Sequence, residues 1–153
     1  MNTTGTDIQS ALHPPVRVLV CDDHEVMRMG IRNLLLGRSG WSVCAEASNG
    51  EEAVEKALRF QPDVIIMDIN MPVMNGLEAA QQIYKAQPKI PVILFSLHVS
   101  DDLAPLLQGD GIRGAVAKAD AARDLAQAVE IVLCGGTFFS GRKPLIAEAK
   151  SGS

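Results

Sequence analysis

"DVIIMDINMPVMNG", residues 63–76, decides the fold. Four apolar residues, Val64 to Met67, run straight into an acid, Asp68. A strand this apolar reads as buried on both faces, as in a parallel sheet. The acid at its end is then held at the rim of the sheet, half out of water. A charge there is costly unless it is paired or used. Pro72 and the turn pair Asn75-Gly76 follow closely, so the chain leaves the strand through a short loop into the next element.

Working outward, short apolar runs and amphipathic stretches alternate. "VRVLVC" (16–21) is a β-branched run and predicts the first strand. Residues 24 to 37 set Val26, Met27, Ile31, Leu34 and Leu35 at helical spacing, with Gly37 to end the helix. "WSVCAEA" (41–47) predicts a second strand. "NGEEAVEKALRF" (49–60) predicts a helix, its early acids and late Lys56 and Arg59 matching the helix dipole. The third strand covers 63–67, and a helix from about Gly76 to Ala86 stops before Pro88. "PVILF" (91–95) is the fourth strand, and Ser100 can cap a short helix over 101–108. "GAVA" (114–117) is the fifth strand, and "AARDLAQAVEIVLC" (121–134) the last helix, ended by Gly135-Gly136. Strict alternation of this kind implies an α/β domain with a parallel sheet and right-handed crossovers.

The bulk properties agree. A chain of 153 residues suggests one domain with room for a real core. The hydrophobic fraction of 47% is too high for disorder. A net charge of -4 argues against a general nucleic-acid or membrane-surface binder. No apolar run approaches the roughly 18 residues of a spanning helix. "MNTTGTDIQSALHPP" has no Lys or Arg and no apolar core, so it is not a secretory signal and reads as a disordered arm over residues 1–15. Cys21, Cys44 and Cys134 lie inside apolar segments, which predicts reduced, buried thiols of a cytoplasmic protein.

In open parallel sheets, functional residues gather beyond the carboxyl ends of the strands. The first strand ends in Asp22-Asp23, the third in Asp68, the fourth in Ser96 and the fifth in Lys118. Each has an ordinary explanation. Asp22 or Asp23 can cap the first helix, Asp68 can start an Asx turn, and Ser96 and Lys118 can be loop residues in solvent. The positions are independent in sequence and coincide in space, and that favours a site. Three close carboxylates repel one another unless a cation joins them. A hard divalent cation with oxygen ligands is the natural solution. Mg2+ takes one or two carboxylates, keeps waters and binds phosphate oxygens. A carboxylate beside it can attack a phosphoryl group to give an aspartyl phosphate. Lys118 and the Ser96 hydroxyl can neutralise and bind the oxygens of that group.

Here the sequence resembles a known family. "VLVCDDHEVMRMGIRNLL", "DVIIMDINMPVMNGLEAA", "VILFSLH" and "GAVAKAD" look like the receiver domain of bacterial two-component response regulators, closest to the NarL-like group, over residues 16–137. The resemblance implies a five-stranded parallel sheet of order 2-1-3-4-5 flanked by five helices, the flavodoxin-like receiver fold. It implies that Asp68 takes a phosphoryl group from a phosphohistidine on a sensor histidine kinase or phosphotransfer protein. By the same likeness, Asp23 and Asp68 bind Mg2+ directly with the Asn70 carbonyl, Asp22 holds it through water, and Ser96 and Lys118 contact the phosphoryl group. Such a domain catalyses only its own phosphorylation and slow dephosphorylation, and acts as a phosphorylation-dependent switch of partner binding.

The sequence departs from the family at two places. Ala115 stands where receivers usually carry an aromatic that swings inward, and Ala119 follows the lysine where proline is usual. After Ser140 only "GRKPLIAEAKSGS" remains, too short for a helix-turn-helix, so 138–153 is expected to be a tail and this chain not to bind DNA. The expected output is then a downstream protein partner or a second copy, docking on Leu103, Leu106 and Leu107, although these leucines also read as core. The strongest rival is a degenerate receiver, an interaction module that is never phosphorylated. An aspartyl phosphohydrolase lacks support because Asn70 stands where its second acid would be. A flavodoxin-like flavin binder lacks it because "CDDHE" would repel phosphate. His24, beside the acids, reads first as a surface residue at a helix start, with transition-metal binding as the alternative. His98, two residues after Ser96, reads as a cover over the phosphoryl group, with a base that orients the attacking water and a loop residue in solvent as the alternatives.

Overall fold

The computed structural model describes residues 15–100, 102, 103, 105, 109 and 111–141. The expected arm before Pro15, the tail beyond Gly141 and the docking residues Leu106 and Leu107 lie outside the described residues. So does most of the helix expected over 101–108; within it Asp102, Leu103 and Pro105 are described, as 3-10 turn.

Strand β1 (Val16–Cys21) leads into helix α1 (Glu25–Leu35), β2 (Trp41–Ala47), α2 (Gly50–Phe60), β3 (Val64–Asp68) and α3 (Gly76–Ala86). Then come β4 (Val92–Ser96), β5 (Ile112–Ala117), a 3-10 turn (Lys118–Asp120), α4 (Ala121–Leu133) and β6 (Phe138–Phe139). All pairings are parallel, in the order β2-β1-β3-β4-β5-β6. The expected order therefore stands as its first five members. The sheet has six strands instead of five, and the described residues hold four α-helices instead of five.

The extra strand begins where a tail was expected. Gly135, at φ 92°, and Gly136 turn the chain back along β5. Phe138 then pairs with Gly114 and Phe139 with Ala115. The small residues of β5 permit this approach: a Cβ on Gly114 would lie 3.2 Å from the Phe138 carbonyl oxygen. Both phenylalanines are buried, at 4% and 6% exposure, which is reason enough for a two-residue strand to persist.

The alternation along β3 shows how the layers form. Ile65 and Met67 face one way, against Ala53 and Ala57 of α2 and Ala79, Ala80 and Ile83 of α3. Val64 and Ile66 face the other way, into the cluster of Ile31 and Leu35 of α1 and Leu125 and Val129 of α4. All four β3 residues are fully buried, as a strand with helices on both faces requires. Burying each is worth roughly 1.5–3 kcal/mol. The alanines of α2 and α3 let two helices share one face of the sheet. Asn49 and Asn75 start those helices, each accepting a backbone N–H three residues on, from Glu52 and Glu78.

The cysteines differ from expectation. Cys21 is buried, Cys44 is half-buried, and Cys134 is exposed. Cys134 falls at the end of α4, where the helix has already turned its apolar face away. Burial pushes the Cys21 thiol far above its usual range, so it stays a neutral core residue.

Candidate functional site

Strand register brings the acids together. Cys21 pairs with Met67, so the next residues, Asp22 and Asp68, emerge side by side from adjacent strands. Asp68 pairs with Phe95, and Ser96 pairs with Ala117, which puts Ser96 and Lys118 at the same rim. Asp22 is fully buried and Asp68 is 2% exposed. The Lys118 ammonium lies 3.2 Å from Asp22 Oδ2 and 3.3 Å from Asp68 Oδ2. Below it the Phe95 ring centroid is 5.7 Å away, a cation–π contact that helps hold the ammonium at the rim.

The backbone around these side chains is tightly fixed. Asp22 Oδ1 accepts the His24 N–H at 2.9 Å, and Arg28 Nη1 donates to the Asp22 carbonyl at 2.6 Å. Arg28 also donates to Glu46, as does Arg32, so α1 is braced against β2 beside the acid. Asp68 Oδ1 accepts the Asn70 N–H at 3.2 Å, an Asx turn. Gly76 closes the loop that follows, donating its N–H to the Ile69 carbonyl at 2.8 Å. A Cβ at Gly76 would sit 2.1 Å from the Asp68 carbonyl oxygen, so glycine is required there.

Electrostatics leave this pocket short of positive charge. Burial raises the Asp68 pKa, neighbouring Asp22 raises it further, and Lys118 and the Asn70 N–H offset only part of that. Burial alone would lower the Lys118 pKa, but the carboxylates of Asp22 and Asp68 beside it raise it overall, so it stays charged. Asp22 Oδ2 is buried and makes no hydrogen bond, its ion-pair distance to Lys118 notwithstanding. Asp22, Asp23, His24 and Asp68 can each offer one ligand atom within 4.8 Å of the others. A buried carboxylate oxygen without a hydrogen bond, in a pocket with surplus negative charge, fits a hard divalent cation.

Each expected site residue can now be located. Asp22, Asp68, Ser96 and Lys118 converge, with Ser96 9% exposed. Asp23 lies at the edge, its side chain 30% exposed. Asn70 is exposed, and its N–H is the group bonded to Asp68. Neither Asp22 nor Asp23 is the N-cap of α1: His24 takes that position, and its side chain makes no capping bond. His98 is exposed, and its N–H approaches Ser96 Oγ at 3.4 Å. Leu103 is partly buried against the core, in line with its alternative reading.

Sequence reasoning missed a second polar centre behind the site. Ser140 Oγ accepts the Ala117 N–H at 3.1 Å and donates to Asp124 Oδ2 at 3.0 Å. Arg123 grips the same carboxylate with two hydrogen bonds, at 2.9 and 3.1 Å. The chain position just before Lys118 is thereby tied to both α4 and the end of β6. No local pattern announces a bond between residues 16 apart.

The response regulator receiver domain family matches residues 18–130. The chain is 35% identical over 133 residues to the response regulator GacA of Pseudomonas viridiflava, covering 87% of this chain and 61% of that protein. It is 36% identical to the response regulator VraR of Staphylococcus saprophyticus, covering 75% of this chain and 55% of that one. The chain thus spans less than two thirds of the length of these curated relatives. Among solved structures, a LuxR-family two-component response regulator from Aurantimonas superposes with a TM-score of 0.78 at 31% identity, covering 83% of this chain and 91% of that one. The response regulator domain of Thermotoga maritima CheB gives 0.71 at 31% identity, covering 78% and 96%. The chain belongs to the response regulator receiver family and has its flavodoxin-like parallel fold.

Proposed function

We propose that this receiver is a phosphorylation-dependent switch in which Asp68 accepts a phosphoryl group from a sensor histidine kinase or phosphotransfer protein. The observation that carries the reading is the position of Lys118. One ammonium stands within 3.3 Å of oxygens on both Asp22 and Asp68. Such an ammonium can follow a phosphoryl oxygen once Asp68 is phosphorylated, because Asp22 alone keeps it charged and near. Asp68 is the nucleophile. It needs no general base, because a carboxylate attacks in its ionised form. Its Oδ1 is held by the Asn70 N–H and its Oδ2 faces Lys118, so the carboxylate is oriented before any donor arrives. Ser96, one residue beyond the strand partner of Asp68, supplies a hydroxyl to the transferred group. Asp22, Asp23 and Asp68, with the Asn70 carbonyl, are the groups to hold Mg2+. That ion, when bound, supplies positive charge for the phosphoryl oxygens. The chain turns over its own aspartyl phosphate only slowly and acts on no other substrate.

The relatives' names support a signalling role, and the DegU relative is called a transcriptional regulatory protein. The output of this chain is proposed to be a protein partner or a second copy of itself, engaged in the cytoplasm. Among the described residues no helix is long and apolar enough to cross a membrane. An inert interaction module would not need two buried aspartates and a lysine at one strand rim. The test is intact mass after incubation with a small phosphodonor such as acetyl phosphate and Mg2+. The expected result is a single phosphoryl adduct that is absent in Asp68→Asn. No adduct in the parent, or one that survives in Asp68→Asn, overturns the assignment.

A further inference from the structure

Ser140 holds the chain at the base of Lys118 by a bond that the sheet alone would not make. The Ser140 N–H donates to the Ala115 carbonyl at 2.9 Å, which continues the β5–β6 ladder by one bond. The next bond of a regular parallel ladder would carry the Ala117 N–H to the Ser140 carbonyl. Instead the Ala117 N–H donates to Ser140 Oγ, at 3.1 Å. The chain can then turn off the sheet at Gly141, whose φ is 84°, without orphaning that N–H.

The hydroxyl is itself fixed. It donates to Asp124 Oδ2 at 3.0 Å, and Arg123 holds the same carboxylate through both oxygens. Ser140 and Asp124 are both buried. A hydroxyl that donates to a carboxylate is a better acceptor, so the two bonds strengthen each other. The backbone that leads into Lys118 is thus pinned from the β6 side, and the 3-10 turn that starts at Lys118 has no side-chain cap of its own.

Lys118 reaches the acids on a long, flexible stem. A small rotation at its base is multiplied at the ammonium, which stands beside both Asp22 Oδ2 and Asp68 Oδ2. A misplacement of about 1 Å near a reacting centre can cost about 100-fold in rate. We infer that Ser140, oriented by Asp124, is a positioning residue for phosphoryl transfer, fixing the backbone from which Lys118 reaches the transferred group. The inference rests on the reading of Asp68 as the phosphoryl acceptor. It adds that the site depends on a hydroxyl from the end of β6.

The rate of Asp68 phosphorylation by acetyl phosphate at saturating Mg2+, followed by intact mass on the full chain, tests this. Ser140→Ala should slow the step about fivefold or more. Asp124→Asn, which weakens the same hold without shortening a side chain, should slow it in the same direction. Val129→Ala is the control for loosened packing, because this buried residue lies on the same helix and has no polar side-chain group. It should slow the step less than about twofold, with circular dichroism confirming that all three variants are folded. In a Lys118→Ala background, slower from the start, Ser140→Ala should cost less than about twofold, since the group it positions is gone. Losses at Ser140 and Asp124 no larger than that at Val129, or an undiminished Ser140 loss without Lys118, overturn the inference and leave Asp68 as the acceptor. If the parent takes no phosphoryl group, the acceptor reading itself fails, and the inference with it.

Discussion

Asp68 and Asp124 are both buried carboxylates, 2% and 5% exposed, yet their surroundings push them in opposite directions. Asp124 accepts two bonds from Arg123 and one from Ser140, and the Arg123 bonds hold its pKa below the usual carboxylate range against the cost of burial. Asp68 has one N–H bond and a lysine it must share with Asp22, and burial followed by that neighbour pushes its pKa up. One acid is used to hold the fold together. The other is kept unsatisfied at a strand end, where the unmet charge is available to a cation and a phosphoryl group. Buried charge without full compensation is expensive, and it is found where chemistry needs it.

The support under Asp68 offers the largest way to break this contrast. The start of α3 presses on the strand end so closely that a Cβ at Gly76 would fall 2.1 Å from the Asp68 carbonyl oxygen and 2.9 Å from its carbon. Both are backbone atoms and cannot step aside. Gly76→Ala should cost about 3 kcal/mol or more in urea unfolding and slow phosphorylation of Asp68 with it. Gly30→Ala is the control. Gly30 lies inside α1, a Cβ there meets nothing within 4 Å, and the variant should gain up to about 1 kcal/mol. A small loss at Gly76 would mean the loop relaxes freely and Asp68 is not rigidly held.

Removing each acid in turn sharpens the contrast. Asp124→Ala deletes charge-assisted bonds and strands the Ser140 hydroxyl, a loss of about 2 kcal/mol at neutral pH. Asp68→Ala, measured without divalent cation, should change stability little or raise it, because Lys118 keeps Asp22 and one repulsion disappears. The pH dependences have opposite signs. The Asp124 pKa is lowered by folding, so its contribution is complete above the unfolded carboxyl value of about 3.9 and fades as pH falls through the folded value. The Asp68 pKa is raised, so its penalty is absent below about 3.9 and grows as pH rises through the folded value. Urea midpoints from pH 3 to 7 for the parent and both variants check this. If Asp68→Ala costs as much as Asp124→Ala, the acid pocket is an ordinary structural ion pair.

The two centres were unequally legible in the sequence. Asp22, Asp68, Ser96 and Lys118 could be found because a strand announces itself by its apolar run, and the residue ending the run is then fixed at the rim. Parallel pairing followed from strict alternation, whereas the strand order came only from the family resemblance. Asp124 and Ser140 stayed hidden because their bond joins α4 to the far end of β6, and no periodicity encodes it. β6 itself went unread. Phe138 and Phe139 are too short a run to show a period, and the small residues of β5 that receive them do not by themselves announce a neighbouring strand. The roles of His24 as cap and as neighbour of the acids depend on side-chain rotation, which spacing does not determine.

The smallest expected effect concerns the loop between Asp68 and α3. Val73 sits at φ 70°, in the left-handed region, where a β-branched side chain is badly placed. The Met74 N–H reaches the Pro72 carbonyl at 2.7 Å, closing a tight three-residue turn around it. The side chain does little in return, being 76% exposed. Left-handed backbone costs an ordinary residue about 1–2 kcal/mol. Glycine avoids that cost but loses about 0.5–1 kcal/mol of unfolded-state freedom. Val73→Gly should therefore stabilise the domain by about 0.5 kcal/mol, read as a rise in urea midpoint with an unchanged slope. If strain in this turn helps hold Asp68 and Asn70 ready, the phosphorylation rate from a small donor should fall as stability rises. If the rate holds while stability rises, the strain is incidental, and rigidity at the site comes from the Gly76 contact alone. A loss of stability would mean that the exposed valine packs on something that offsets its backbone, and the contrast between a strained acceptor loop and a relaxed Asp124 centre would not hold.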